Sequence, residues 1–148
     1  MSREQVLAAI PHRPPFLWVD EVVNLDPEAK TIHTRKFVDP ETPCFAGHYP
    51  DFPLLPGVLV CEAIYQSGAV LLATVAKDQL QDGLIPVLTR GRDSRFRRMV
   101  RPGETLDLEV QVEDGLGGVF QLSGTAKVDG ELAVKAKFSV ALVPHPGE

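Results

Sequence analysis

The two side chains best suited to proton transfer are His48, in a proline-rich loop, and Glu62, inside an apolar helix. Imidazole gains and loses a proton near neutral pH, so histidine is the commonest general base or acid. Glu62 is surrounded in sequence by valine, leucine, cysteine, alanine and isoleucine. Burying an unpaired carboxyl is costly, so a chemical role explains Glu62 better than packing does.

The loop and the helix start that follow His48 add an oxyanion donor. Proline restricts the loop backbone at three positions and so determines where His48 points: Pro50, Pro53 and Pro56. Gly57 lets a ligand or another chain approach the backbone closely, and Val58 follows it at the helix start. A helix start presents free N–H groups and a partial positive charge. Together, a base, an acid and an oxyanion donor favour proton abstraction next to a carbonyl.

The elements that position these groups form an α+β pattern. A long helix is predicted over 56–77, and its apolar character on nearly every side is typical of a buried helix. A short helix near the N-terminus is predicted to be capped by Ser2 and Gln5. Alternation and β-branched residues predict strands over 16–25, 31–38, 85–100, 106–113, 120–128 and 132–140. We expect an antiparallel sheet of about six strands wrapped around one long central helix.

Composition predicts a single domain, residues 1–148. The net charge of −5 argues against a nucleic-acid or anionic-membrane binder. The carboxyl in the long apolar run favours a core helix over a membrane span. Neither cysteine has metal-ligand or disulfide-framework spacing, so no metal site is expected and free thiols fit a reducing compartment. With no signal peptide visible, we expect a cytoplasmic protein.

The central motif resembles that of the bacterial (3R)-hydroxyacyl-acyl-carrier-protein dehydratases of fatty-acid synthesis, FabZ type. The residues that carry the resemblance are Gly47-His48-Tyr49-Pro50, Pro53, Pro56-Gly57-Val58-Leu59, Glu62-Ala63 and Gln66. Three flanking stretches are also similar: Pro11 to Leu17 with Val19-Asp20, Arg95 to Arg98 with Pro102-Gly103-Glu104, and Ala126 to Gly130. The resemblance covers nearly the whole chain.

The resemblance implies a hotdog fold, a homodimer with a continuous sheet, and usually a trimer of dimers. It implies that His48 takes the C2 proton and that Glu62 of the other subunit protonates the departing C3 hydroxyl. The Gly57 amide would hold the thioester oxygen. The substrate would be carried by acyl carrier protein, and no metal or organic cofactor is implied.

Several residues have more than one interpretation. Gln66 either orients a catalytic group or bonds the backbone, whereas His12 and Arg13 are expected to pin the N-terminal segment. Tyr65 stands where the family usually has a small residue, so it could narrow the acyl tunnel or add a hydroxyl. The strand before Arg95 reads one residue shorter than in the family. A shift of one residue moves the side chains of a strand to the opposite face of the sheet unless a bulge absorbs it.

A run of arginines in an acidic protein is either a solvated face or a docking site for acidic carrier protein. The docking candidates are Arg95, Arg97 and Arg98.

Two other functions compete with dehydration: an acyl thioesterase of the same fold, and a non-catalytic relative that binds acyl thioesters. Glu62, where an isomerising relative has Asp, predicts dehydration without isomerisation.

Overall fold

The structure is a computed structural model that describes residues 3–146. Its helices are α1 (Arg3–Ala9), α2 (Cys44–Gly47), α3 (Gly57–Val75) and α4 (Lys77–Gln81). Its strands are β1 (Glu21–Asp26), β2 (Thr31–Phe37), β3 (Leu84–Phe96), β4 (Thr105–Leu116), β5 (Val119–Val128) and β6 (Glu131–Pro144). The predicted cap at Ser2 lies outside the described residues.

The strands form one antiparallel sheet in the order β1-β2-β4-β5-β6-β3. β1 and β3 are therefore the two edges. The long helix α3 lies against one face and contacts β2, β3, β4, β5 and β6. The predicted α+β fold, with about six strands around one long helix, is confirmed.

The last three strands form because apolar and polar residues alternate along them. In β4 the buried side chains are Leu106, Leu108, Val110 and Val112, and the polar residues between them are wholly or partly exposed. The β4–β5 turn has positive φ at Gly117 and Gly118, and the β5–β6 turn has positive φ at Asp129 and Gly130. Two successive positive φ angles fit the tight hairpin turn that the Asp-Gly pair predicts.

α3 approaches the sheet closely because small residues lie at the contact. A Cβ added at Gly68 would lie 2.8 Å from the Phe138 ring, and one at Gly124 would lie 2.5 Å from Ile64 Cγ2. The buried hydroxyls of Ser67 and Thr34 bond each other at 2.7 Å. By length and composition α3 could cross a membrane, with a mean hydropathy of 1.7. Its packing against the sheet is that of the predicted core helix.

Several predicted boundaries are wrong. The first strand begins at Glu21 instead of 16, because the backbone at Phe16 and Trp18 bonds the Gln66 side chain. The long helix ends at Val75, and a separate short helix, α4, follows it. The third predicted strand ends at Phe96, four residues before 100. β6 continues to Pro144, four residues beyond its predicted end at 140.

β3 contains two irregularities that absorb register shifts. Its pairing with β6 slips between Leu88 and Arg90, and again between Arg92 and Arg95. Asp93, in the second irregularity, has a φ of +51°. A bulge holds an extra residue without inverting the faces of the rest of the strand. Two such irregularities lie in the strand whose sequence reads one residue shorter than in the family.

Candidate active site

His48 is positioned by the loop between α2 and α3. Its half-buried imidazole lies with Nδ1 3.1 Å from the Leu54 carbonyl oxygen, and the Tyr49 ring packs edge-on against it with centroids 4.8 Å apart. A carbonyl oxygen only accepts, so Nδ1 carries the proton. The lone pair on Nε2 is then available to accept a proton, as a general base requires.

The Glu62 carboxyl is held in place by a residue of the same helix. Its Oε2 accepts a hydrogen bond of 2.9 Å from Gln66 Nε2, one turn along α3. Gln66 is 1% exposed, and it also donates to the Phe16 carbonyl and accepts from the Trp18 amide. The side-chain amide of Gln66 therefore bonds the backbone, as one interpretation expected, and also holds the carboxyl of Glu62, whose catalytic role stays a prediction.

His12 lies beside Glu62, which the sequence interpretation missed. Its Nε2 is 4.0 Å from Glu62 Oε2, and its buried Nδ1 has no hydrogen-bond partner within residues 3–146. Arg13 does pin the N-terminal segment as expected, donating to the carbonyls of Leu7, Ile10 and His12. The Pro11-His12-Arg13 motif was the available signal, but only the fold shows that this segment reaches α3.

The start of α3 leaves backbone amides free. The N–H groups of Leu59 and Val60 donate to the Pro56 carbonyl, whereas those of Gly57 and Val58 at the helix start have no backbone acceptor within residues 3–146. A Cβ at Gly57 would lie 2.5 Å from the Phe96 ring, so any other residue would push the ring aside. Val58 is 73% exposed and presents its side chain to the surface. The geometry suits an oxyanion at this helix end.

Two cavities adjoin these groups. One, of about 480 Å³, is bordered by Leu54, Gly57, Phe96 and Arg97 among others. The other, of about 90 Å³, is bordered by Glu62, Gln66, Tyr65 and His12 among others. His48 borders neither, and in the described part of the chain no hydrogen bond or ion pair joins it to Glu62. Within one subunit, the two predicted proton-transfer groups therefore share no cavity and no polar contact among the described residues.

Tyr65 fits against β3 and the core. Its ring lies 4.9 Å from that of Phe138, and a Cβ added at Gly91 would lie 2.7 Å from its hydroxyl. Burial raises the pKa of the Tyr65 phenol, the Cys61 thiol raises it further, and a hydrogen bond with Ser94 opposes the rise. A bulky residue at 65 is thus accommodated by a glycine on the facing strand.

The three docking candidates differ. Arg98 donates to Glu104 at 2.7 Å and to Glu131 at 2.9 Å, and the Glu104 hydrogen bond is the main cause that raises the pKa of Arg98. Its guanidinium is committed to structure, so the structure does not favour docking through Arg98. Arg97 borders the larger cavity, and Arg95 faces Lys135 across the strands.

Among the described residues no cluster of His, Cys, Asp or Glu could hold a metal ion.

Comparisons with known proteins identify relatives of the whole chain. The family of FabA-like domains matches residues 10–137. A 3-hydroxyacyl-[acyl-carrier-protein] dehydratase FabZ of Oceanobacillus iheyensis is 39% identical, over 96% of this chain and 99% of that protein. The protein of that name from Chloroflexus aggregans is 41% identical, over 96% of each chain.

Solved structures show the same fold. The dehydratase heterocomplex ApeI:P from Xenorhabdus doucetiae contains a chain that superposes with a TM-score of 0.79 at 20% identity, covering 97% of this chain and 93% of that one. A hypothetical thioesterase from Streptococcus pneumoniae superposes with a TM-score of 0.65 at 10% identity, covering 96% and 94%. At these identities the likeness concerns the fold alone. The sequence matches go further: this chain belongs to the FabA-like family and, within it, to the FabZ-type 3-hydroxyacyl-[acyl-carrier-protein] dehydratases.

Proposed function

We propose that this chain removes water from (3R)-hydroxyacyl groups carried on acyl carrier protein, giving trans-2-enoyl products in fatty-acid biosynthesis. The observation that carries the proposal is the near full-length likeness to proteins named as dehydratases of this substrate, 39% identical over 142 residues. The enzyme is a hydro-lyase. We expect it in the cytoplasm, where its free cysteines, Cys44 and Cys61, suit a reducing compartment.

For each proton transferred in the proposed reaction, the protein supplies a donor or an acceptor. His48 Nε2 takes the proton from C2, and the electron pair of that C–H bond moves towards the thioester carbonyl. The Gly57 amide, with Val58 beside it, stabilises the negative charge on the oxygen. The pair then forms the C2–C3 double bond as the C3–O bond breaks, and Glu62 supplies the proton that turns the leaving hydroxyl into water.

Base and acid come from different subunits in this proposal. β3 is a sheet edge of 13 residues, nearly all of them exposed, and an edge with free backbone groups is a template for pairing with another chain. Antiparallel pairing of two β3 edges would continue the sheet through a two-fold axis. His48 of one copy would then serve Glu62 of the partner, and three such dimers would make the implied hexamer.

The acidic carrier protein would dock on the cationic side of this edge. Arg92 faces Lys137 and Arg95 faces Lys135 directly across β3 and β6. Like charges directly opposite each other are unfavourable within a sheet, so an anionic partner would relieve them. Arg97, at the larger cavity, would lie between this surface and the Gly57 helix start. We retain Arg95 and Arg97 as docking residues.

The test is an assay of the purified protein on (3R)-hydroxyacyl carrier protein and on the coenzyme A thioester. We expect an enoyl product with no release of free thiol, whereas thioesterase activity would release thiol. His48→Ala and Glu62→Gln should each lower kcat by about 10²–10⁴-fold while the protein remains folded. Thiol release without enoyl product, or full activity in either variant, would overturn the proposal.

A further inference from the structure

Tyr65 lies at the boundary between the catalytic carboxyl and an apolar cavity. The cavity of about 90 Å³ beside Glu62 has mainly apolar walls. The apolar part of the wall is formed by Tyr65, Ala69, Pro86, Leu88 and Val140, and the polar part by His12, Glu62 and Gln66. An apolar wall next to a carboxyl suits a substrate whose reacting hydroxyl is followed by a hydrocarbon chain.

The Tyr65 ring has little freedom to move out of this boundary. Phe138, which is fully buried, packs against it at a tilt with ring centroids 4.9 Å apart, and a Cβ added at Gly91 on β3 would lie only 2.7 Å from the Tyr65 hydroxyl. The Cys61 thiol and the Ser94 hydroxyl both interact with the phenol. Moving the ring would therefore disturb the helix, the core and β3 at once.

The reaction determines which part of the substrate meets this cavity. If Glu62 protonates the hydroxyl on C3, the carbon atoms beyond C3 must continue past Glu62 into the apolar space beside it. This space is small, about 90 Å³, and Tyr65 forms part of its wall, so the Tyr65 ring limits the room for those carbon atoms.

We infer that Tyr65 makes this enzyme selective for short hydroxyacyl chains over long ones by narrowing the cavity that receives the chain beyond C3. The inference rests on the proposed dehydration. It names the substrate class for the same site and assigns the selectivity to one side chain. The ring does this by its bulk, so its hydroxyl is not required.

The experiment measures kcat/KM for (3R)-hydroxyacyl carrier protein with chains of four, six and ten carbons. Wild-type protein should favour the four- and six-carbon substrates. Tyr65→Ala should raise the ratio of ten-carbon to four-carbon kcat/KM by at least about tenfold, since one methylene in an apolar pocket changes kcat/KM by about 10–200-fold. Tyr65→Leu keeps an apolar contact with Phe138 and is measured as well, so that the test remains valid if the alanine variant does not fold.

Tyr65→Phe is the matched control, because it keeps the ring and removes only the hydroxyl, and its chain-length ratio should match that of wild type. Gly91→Ala should lower the melting temperature of wild type more than that of Tyr65→Ala, because the added Cβ meets the phenol only when it is present. A wild-type preference for ten carbons, or an unchanged ratio in both Tyr65→Ala and Tyr65→Leu, would overturn the inference. Absence of turnover on every substrate would instead overturn the proposed function.

Discussion

At the scale of residues, the side-chain amide of Gln66 connects the N-terminal segment to the carboxyl of Glu62, the proposed acid. Its oxygen accepts from the Trp18 amide, and its nitrogen donates to the Phe16 carbonyl and to Glu62. All three bonds are formed by a side chain that is 1% exposed. Its loss would leave buried backbone groups unpaired and Glu62 free to rotate.

Replacing Gln66 with leucine should therefore harm both stability and catalysis. An unpaired buried amide costs about 1–3 kcal/mol, so the melting temperature should fall. We expect kcat to fall more than the affinity for substrate, because the substitution releases the carboxyl while a leucine of similar size still forms this part of the cavity wall. Thermal unfolding and steady-state kinetics measure the two effects. Gln79→Leu on the exposed helix α4 is the control, and equal effects from both substitutions would contradict this role.

The sequence predicts the identities of His48, Glu62 and Gly57 as candidates but not their surroundings. The Leu54 carbonyl that orients His48 follows from the path of a proline-rich loop, which no local pattern determines. His12 approaches Glu62 only because the N-terminal segment folds back onto α3. Proximity of this kind depends on tertiary packing, so it has no signature in residue spacing.

At the scale of elements, the pair of Arg98 and Glu104 joins the end of β3 to the start of β4. The guanidinium makes two bonds to the Glu104 carboxylate, and Glu104 also accepts from the Arg101 amide. The Arg98 hydrogen bonds are the main cause that lowers the pKa of Glu104 from its ordinary 4.5. The folded state therefore binds this proton less readily than the unfolded state does.

The stability that this pair supplies should depend on pH. It should be fully present above pH 4.5 and be lost as the pH falls through the lower folded-state pKa. Glu104→Gln should lower the free energy of unfolding at neutral pH by about 1–2 kcal/mol and should weaken the loss of stability in acid. Urea unfolding across this pH range measures both. The exposed Glu28→Gln is the control, and an undiminished acid response in Glu104→Gln would refute the assignment.

Charge reversal on β3 tests carrier-protein docking. Arg95→Glu should raise KM for carrier-protein substrates at low salt, with little change in KM for the coenzyme A thioester. Added salt should reduce the difference, because it screens exposed charges. Steady-state kinetics at two salt concentrations provide the measurement. Lys77→Glu on α4 makes the same charge change away from this edge, and an equal rise in KM there would count against a specific docking surface.

Element prediction from sequence succeeded where local chemistry was sufficient. Alternation and the Asp129-Gly130 turn predict β4 to β6 because each hairpin is built from neighbouring residues. The predicted start of the first strand is wrong because an apolar stretch such as Phe16 to Val19 can pair with a strand or pack beneath a helix. The irregular register of β3 also depends on its partner β6, which lies far along the chain.

At the scale of the whole molecule, the two sheet edges differ. β3 has 13 residues and carries exposed apolar side chains, whereas β1 has only six residues. Val87 on β3 is 39% exposed, and Val23 on β1 is 36% exposed. Two similar valines on opposite edges provide a matched pair for locating the subunit interface.

The protein should be a dimer or a multiple of one, with subunits of 16.2 kDa. Light scattering during size-exclusion chromatography measures the mass. Val87→Lys should shift the equilibrium towards monomer because a buried charge in the interface is costly, whereas Val23→Lys should leave the mass unchanged. A monomeric wild type, or dissociation caused only by Val23→Lys, would exclude pairing through β3.

The central claim is that His48 of one subunit acts with Glu62 of its partner, and subunit mixing tests it directly. His48→Ala and Glu62→Gln, each nearly inactive, are unfolded together and refolded as a mixture. A mixed dimer has one site with both residues intact, so random pairing should restore about a quarter of wild-type activity. If base and acid belong to the same subunit, every site lacks one of them, and a mixture as inactive as its parents would contradict the claim.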